Sequence, residues 1–281
     1  MAKIGLVFGG GGAKGAYQVG VYQALKEFGL TKKIKFISAN SIGAINLLAL
    51  CNDDVTLAYN LWTNLKRSDV LTFKSFKNFF KKDNFSLFSR EGMLEIIKDV
   101  DIDKVSKCKR TLFVAATNET LDQPEYFKLN GLAKDEILNI VLASSAIPTV
   151  FEQVKINDYY YSDGVRYSNV PIDILKKQGC KFLYVIPLSD NQAPYEGMDD
   201  DITIIDFNYE GFKDLGIING TLGFDKKLAL ERYELGYNLA KEMILYLKKE
   251  GVIATTFLEK LRSIFKKKKK YYSYKDVKRE V

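Results

Sequence analysis

With 281 residues, 47% of them hydrophobic, the chain can bury a large core, and its three cysteines, Cys51, Cys108 and Cys180, fit neither a disulfide framework nor a zinc spacing. It contains no histidine, which excludes a Ser-His-Asp triad, histidine-held metals and a histidine proton shuttle. Of the net charge of +7, six charges belong to residues 265–281, where eight Lys/Arg face two Asp/Glu, so the near-neutral remainder argues against a nucleic-acid-binding face.

In chain order, residues 3–8 read as a buried strand leading into GGGGAKG at 9–15. Tyr17, Val21, Ala24, Leu25 and Phe28 then recur at helical spacing up to Gly29. Residues 34–38 form a second strand, followed by a sharp turn and an apolar helix from Ile42. Strand, glycine loop, helix, strand, turn and helix together open a parallel α/β sheet. TLFVAAT (111–117) and KFLYVIPL (181–188) are further buried-strand candidates. VKINDYYYSDG (154–164) reads as a hairpin turning at Asn157–Asp158, and Leu235, Leu239, Met243 and Leu247 mark one face of a long late helix.

Three uses compete for the glycines: a phosphate cradle, an oxyanion hole and a plain turn. Gly10-x-Gly12-x-x-Gly15 fits the dinucleotide fingerprint, but the second strand ends in Ser38, Ala39 and Asn40 where that fingerprint needs an acid. A P-loop fails as well, because Lys14 precedes a glycine instead of Ser or Thr.

The segment ISANSIGAINLL (37–48) favours acyl chemistry. It places Ser41 between strand and helix with small neighbours at Ala39, Gly43 and Ala44, the layout of a nucleophile elbow. Both turns then lie on one edge of the sheet, where the glycine loop can aim backbone N–H groups at a carbonyl attacked by Ser41. Without histidine, the base must be Asp, Glu or Lys, and Asp163, in an aromatic strand that breaks at Gly164, is the best candidate. Desolvation there would raise its pKa toward a useful value. Spacing alone does not bring Ser41 and Asp163 together.

The segments GGGGAKGAYQVGV (9–21), ANSIG (39–43), ATNETLDQPEYF (116–127), ASSAIPTVF (143–151) and DGVRYSNVP (163–171) resemble, in order, those of the patatin-like phospholipase family over roughly residues 4–185. The resemblance implies a three-layer α/β/α fold with a mainly parallel sheet, Ser41 as nucleophile, Asp163 as base, an oxyanion hole at Gly10, Gly11 and Gly12, and no metal or other cofactor. It also implies a phospholipid or other acyl-ester lipid as substrate, with a thioesterase, an acyltransferase or a catalytically impaired lipid-binding module as alternatives. Two positions depart from the family pattern. Ala39 replaces the usual first glycine of the elbow, and Val165 replaces the second glycine after the aspartate, where a β-branched residue would resist positive φ.

Residues 1–250 are expected to form the catalytic domain, with the Phe- and Lys-rich stretch 65–90 as a lid or surface insertion. Residues 251–281 are expected to be a basic tail able to meet an anionic membrane surface. Lys14 is a candidate headgroup contact. With no leader and no spanning segment in view, a cytoplasmic location, peripheral at a membrane, is the expectation.

Overall fold

The structure, a computed structural model, describes residues 3–64, 94, 97–189, 201–212, 224–253 and 270–279. The expected insertion at 65–90 lies outside them. Strand β1 (Lys3–Phe8) runs into a 3-10 turn (Gly12–Gly15) and helix α1 (Ala16–Glu27), which stops at Gly29 (φ +70°). Then come β2 (Ile34–Asn40), α2 (Ile42–Leu50), α3 (Val55–Asn64), α4 (Ile102–Ser106), β3 (Thr111–Asn118) and β4 (Gln123–Lys128). Helix α5 (Lys134–Ser144) precedes the hairpin β5 (Val154–Ile156) and β6 (Tyr159–Asp163), which turns through Asn157 at φ 54° as the Asn-Asp pair predicts. The chain continues through α6 (Val165–Ser168), α7 (Ile172–Lys177), β7 (Cys180–Ile186), β8 (Thr203–Asp206) and α8 (Lys226–Lys249), and then β9 (Tyr271–Ser273) and α9 (Tyr274–Lys278).

The strands form one sheet in the order β5-β6-β3-β2-β1-β7-β8-β9, with β4 paired to β3 off that path. From β3 through β2, β1, β7 and β8 to β9 every pairing is parallel, while β4, β5 and β6 join antiparallel. Both faces are covered. Leu6 and Phe8 of β1 pack into a large core with α1, α2, α3, α5 and α8, whereas Val7 points the other way with Leu183, Val185 and the α7 residues Ile172 and Leu175. The chain therefore has the expected three-layer α/β/α fold with a mainly parallel sheet. Two-sided burial also explains why its inner strands read as continuous apolar runs.

Helices α1 and α8 cross at glycines. A Cβ at Gly20 would stand 2.0 Å from the Tyr233 carbonyl oxygen, and one at Gly236 would stand 2.2 Å from the Tyr17 carbonyl oxygen. The backbones meet almost directly there, and this close contact presses α1 and α8 together beside the sheet.

The C-terminal stretch corrects one expectation. Part of the basic tail is built into the domain: Tyr271–Ser273 adds β9 to the edge of β8, with Tyr272 buried, and the Tyr271 hydroxyl donates to Asp206 at 2.6 Å. Tyrosines favour strands and carry apolar surface to bury, which the surrounding lysine run conceals in the sequence.

Candidate active site

Ser41 sits between β2 and α2 with φ 54° and ψ −126°. Side chains rarely adopt that backbone, and holding one there costs on the order of 1–3 kcal/mol. Gly43 makes the turn possible, because a Cβ there would come within 2.5 Å of the Phe8 carbonyl oxygen. Ala39 fits without trouble: it is fully buried, paired with Phe8 on one side and Val114 on the other.

The sheet register brings Asp163 to the serine. Asn40 pairs with Ala115, and Asp163 pairs with the next residue, Ala116. Because β4 occupies one side of β3 from Phe113 to Asn118, β6 must join the side that β2 has just left. Asp163 therefore lies end-on to Asn40, beside Ser41. Burial pushes its pKa up to about 6, while the Ser41 hydroxyl, the Val165 backbone N–H at 2.9 Å and the Asn40 amide at 3.1 Å stabilise the charged form and limit the rise. The structure thus brings together the two residues whose spacing in the sequence gave no contact.

Val165 raises no conflict. Gly164 has φ −69° and Val165 opens α6, so the turn needs no positive φ. Gly164 is required for space instead, since a Cβ there would stand 2.4 Å from the Asn40 side-chain oxygen.

Asn40, which no motif singled out, ties the site together. Fully buried, it donates through Nδ2 to Asp163 and to the Asn169 side chain at 3.3 Å, and it accepts through Oδ1 from the Gly164 N–H at 3.1 Å and the Ser144 hydroxyl at 3.3 Å. Ser144 in turn accepts the Ser41 backbone N–H at 2.9 Å. One amide side chain therefore links the ends of β2, α5 and β6. Its sequence signals were a polar residue closing a buried strand and a place inside the ANSIG segment.

The glycine loop lies against this cluster. A Cβ at Gly10 would stand 2.4 Å from the Asn169 side-chain oxygen and 3.1 Å from Ser41 Cβ. Of the three glycines expected to supply oxyanion donors, Gly10 already donates its N–H to the Asn169 carbonyl at 3.0 Å. Among the described residues, neither the Gly11 nor the Gly12 amide donates to a backbone carbonyl. Gly12 has φ +57°, which glycine adopts at little cost. Beneath the loop, Gln18 donates to the Gly9 carbonyl at 2.8 Å and the Ile186 carbonyl at 3.0 Å, and Asn46 bridges Gln18, the Gly15 carbonyl and the Trp62 indole N–H. Lys14, the candidate headgroup contact, donates to the Leu188 carbonyl at 3.1 Å and lies over the Phe212 ring.

A three-layer sheet carrying a strained serine after its second strand, a buried aspartate against it and a glycine turn alongside places the chain among α/β proteins built on a strand–serine–helix elbow. It belongs to the patatin-like phospholipase family, whose model matches residues 6–176. Among curated proteins it is similar to "Probable lipid hydrolase 463L" of Invertebrate iridescent virus 6, 28% identical over 186 residues that make up 61% of this chain and 63% of the viral protein. Among solved structures it is similar to VipD from Legionella pneumophila, with TM-score 0.41 and 16% identity over 69% of this chain and 51% of VipD. The chain thus spans less than two thirds of either relative's length.

Proposed function

We propose that the protein is a lipid acyl hydrolase of the phospholipase A or lysophospholipase type. The Ser41 hydroxyl attacks the ester carbonyl of a phospholipid or related acyl lipid while Asp163 takes its proton. The tetrahedral oxyanion is held by the Gly11 and Gly12 amides and collapses to an acyl-serine, with Asp163 returning the proton to the departing alcohol. Water, deprotonated by Asp163, then attacks the acyl-serine, and the fatty acid leaves as Ser41 regains its proton. A donor of this kind contributes on the order of 3 kcal/mol to transition-state stabilisation.

The observation that carries this reading is the pairing of a strained serine with an aspartate whose pKa of about 6 lets it be ionised, yet basic, near neutral pH. Family membership and a relative named as a lipid hydrolase support the substrate class. The test is intact-mass spectrometry after fluorophosphonate treatment. A single adduct mapping to Ser41, absent from Ser41→Ala, is expected; a folded protein that takes no adduct, or takes it elsewhere, overturns the proposal.

A further inference from the structure

Eight large apolar or aromatic side chains stand exposed among the described residues, and five of them, Leu121, Tyr159, Tyr160, Val165 and Tyr167, come from three short segments around the β3–β4 turn. Hydrogen bonds and ion pairs hold these segments together. The Glu119 N–H donates to the Tyr160 carbonyl at 2.8 Å, the Tyr160 N–H donates to Thr120 at 3.0 Å, and the Tyr167 hydroxyl and Arg166 both reach Asp122 at 2.8 Å.

The patch continues directly from the candidate site. Asp163 pairs with Ala116 and Tyr161 with Asn118, the last residue of β3, so Tyr160 lies past the end of β3, about 10 Å from Asp163 along the strand. The β3–β4 turn follows the carboxyl end of β3, the same sheet edge that carries the Gly10–Gly12 loop after β1 and Ser41 after β2. Val165 lies two residues from Asp163 on the other side.

We propose that this rim docks on a zwitterionic lipid surface and holds Ser41 at the lipid–water boundary; the inference rests on the lipid-hydrolase reading of the same site. Exposed leucine, valine and tyrosines on segments bonded to one another mark a contact surface more readily than apolar side chains scattered singly, with Tyr159 and Tyr160, consecutive on β6, reaching to its two sides. Tyrosine suits a lipid boundary because the ring enters the acyl region while the hydroxyl stays with the headgroups. The local charges do not favour an anionic surface, since Arg166 is already paired with Asp122 and, at 3.6 Å, with Glu119, and Lys155, over the Tyr160 ring at 6.0 Å, is offset by Asp158 in the same hairpin. Attraction therefore comes from buried apolar area, which salt does not screen.

The test is flotation of the full-length chain with phosphatidylcholine vesicles, using wild type, Ser41→Ala and the double variant Leu121→Ser/Tyr160→Ser at low and high salt. Wild type and Ser41→Ala are expected to bind alike at both salt levels. The double variant should bind at least about tenfold more weakly while hydrolysing a soluble short-chain ester at the wild-type rate. Tyr167→Ser, on a different segment, should weaken binding in the same direction. Failure of wild type to float, binding that needs anionic lipid and vanishes at high salt, or undiminished binding by the variants would overturn the proposal. So would a wild-type dimer that dissociates in the double variant, since the patch would then belong to a second copy. Intact vesicle binding with no fluorophosphonate adduct would instead count against the hydrolase reading alone.

Discussion

At the scale of single residues, the burial of Asp163 costs stability at neutral pH. Its folded pKa, about 6, lies above the ordinary carboxylate value, so between those two values the folded protein keeps a proton that the unfolded chain has released. Stability from this residue is therefore full at low pH and lost as pH rises through 6. Asp163→Asn should abolish ester hydrolysis yet raise stability above pH 7 by up to about 3 kcal/mol, read from denaturant melts. Hydrolysis by wild type should fall on acidification with an apparent pKa near 6. Asn40 tunes that value, because its amide donates to the ionised Asp163. Asn40→Ala should move the acid limb upward and lower kcat by about tenfold or more, whereas a purely structural role would lower stability and leave the pH profile in place. The strand–turn–helix around Ser41 and the strand end at Asp163 were legible in the sequence as local patterns, each weak alone and informative only in combination with the glycine loop. Asn40, Ser144 and Asn169 were not, because a buried amide or hydroxyl gains its meaning only from partners more than 100 residues away.

At the scale of elements, what the sequence revealed follows burial. Strands covered on both faces, β1, β2, β3 and β7, were plain as apolar runs, and the β5–β6 hairpin was marked by its turn residues. Strand β4 went unread because QPEYFK carries a proline and two charges, tolerated where the strand pairs with β3 alone. Strand β9 was hidden by the lysines before it. The α1–α8 contact was also invisible, since a glycine in a helix reads as a weakness until its neighbour is known. Gly236 gives the test. Alanine would gain about 1 kcal/mol of helix propensity there, but its Cβ would stand 2.2 Å from the Tyr17 carbonyl oxygen, with backbone on both sides of the clash. Overpacking outweighs propensity, and Gly236→Ala should destabilise by about 2 kcal/mol net. An unchanged or higher melting temperature would mean that the helices separate freely and that the contact does not hold them.

At the scale of the whole molecule, a second buried carboxylate makes the pH response a property of the fold as well as of the site. Asp206, on β8, is pushed to about 7 by burial, while the Tyr271 hydroxyl of β9, which donates to it at 2.6 Å, and the Asn208 backbone N–H limit the rise. Its sign matches that of Asp163: protonated in the fold and ionised in the unfolded chain between the ordinary carboxylate value and 7, it favours folding at low pH and ceases to do so as pH climbs through 7. Asp53 runs the other way, its pKa lowered because bonds from Tyr22 and Arg110 outweigh the cost of burial, so it limits how far stability can rise toward acid. The melting temperature should therefore be higher at pH 5 than at pH 8, and replacing Asp206 separates the fold's contribution from the site's. Asp206→Asn keeps an acceptor for Tyr271 and removes the buried charge, so it should raise the melting temperature at pH 8 by several degrees, raise it by less at pH 5, where wild type has lost only part of this stability, and leave hydrolysis of a soluble ester intact. Asp163→Asn should shift the same melts in the same direction but without activity. If Asp206→Asn lowered the melting temperature at pH 8, the ionised carboxylate would be holding β9 in place through Tyr271, and the C-terminal strand would depend on that charge instead of enduring it.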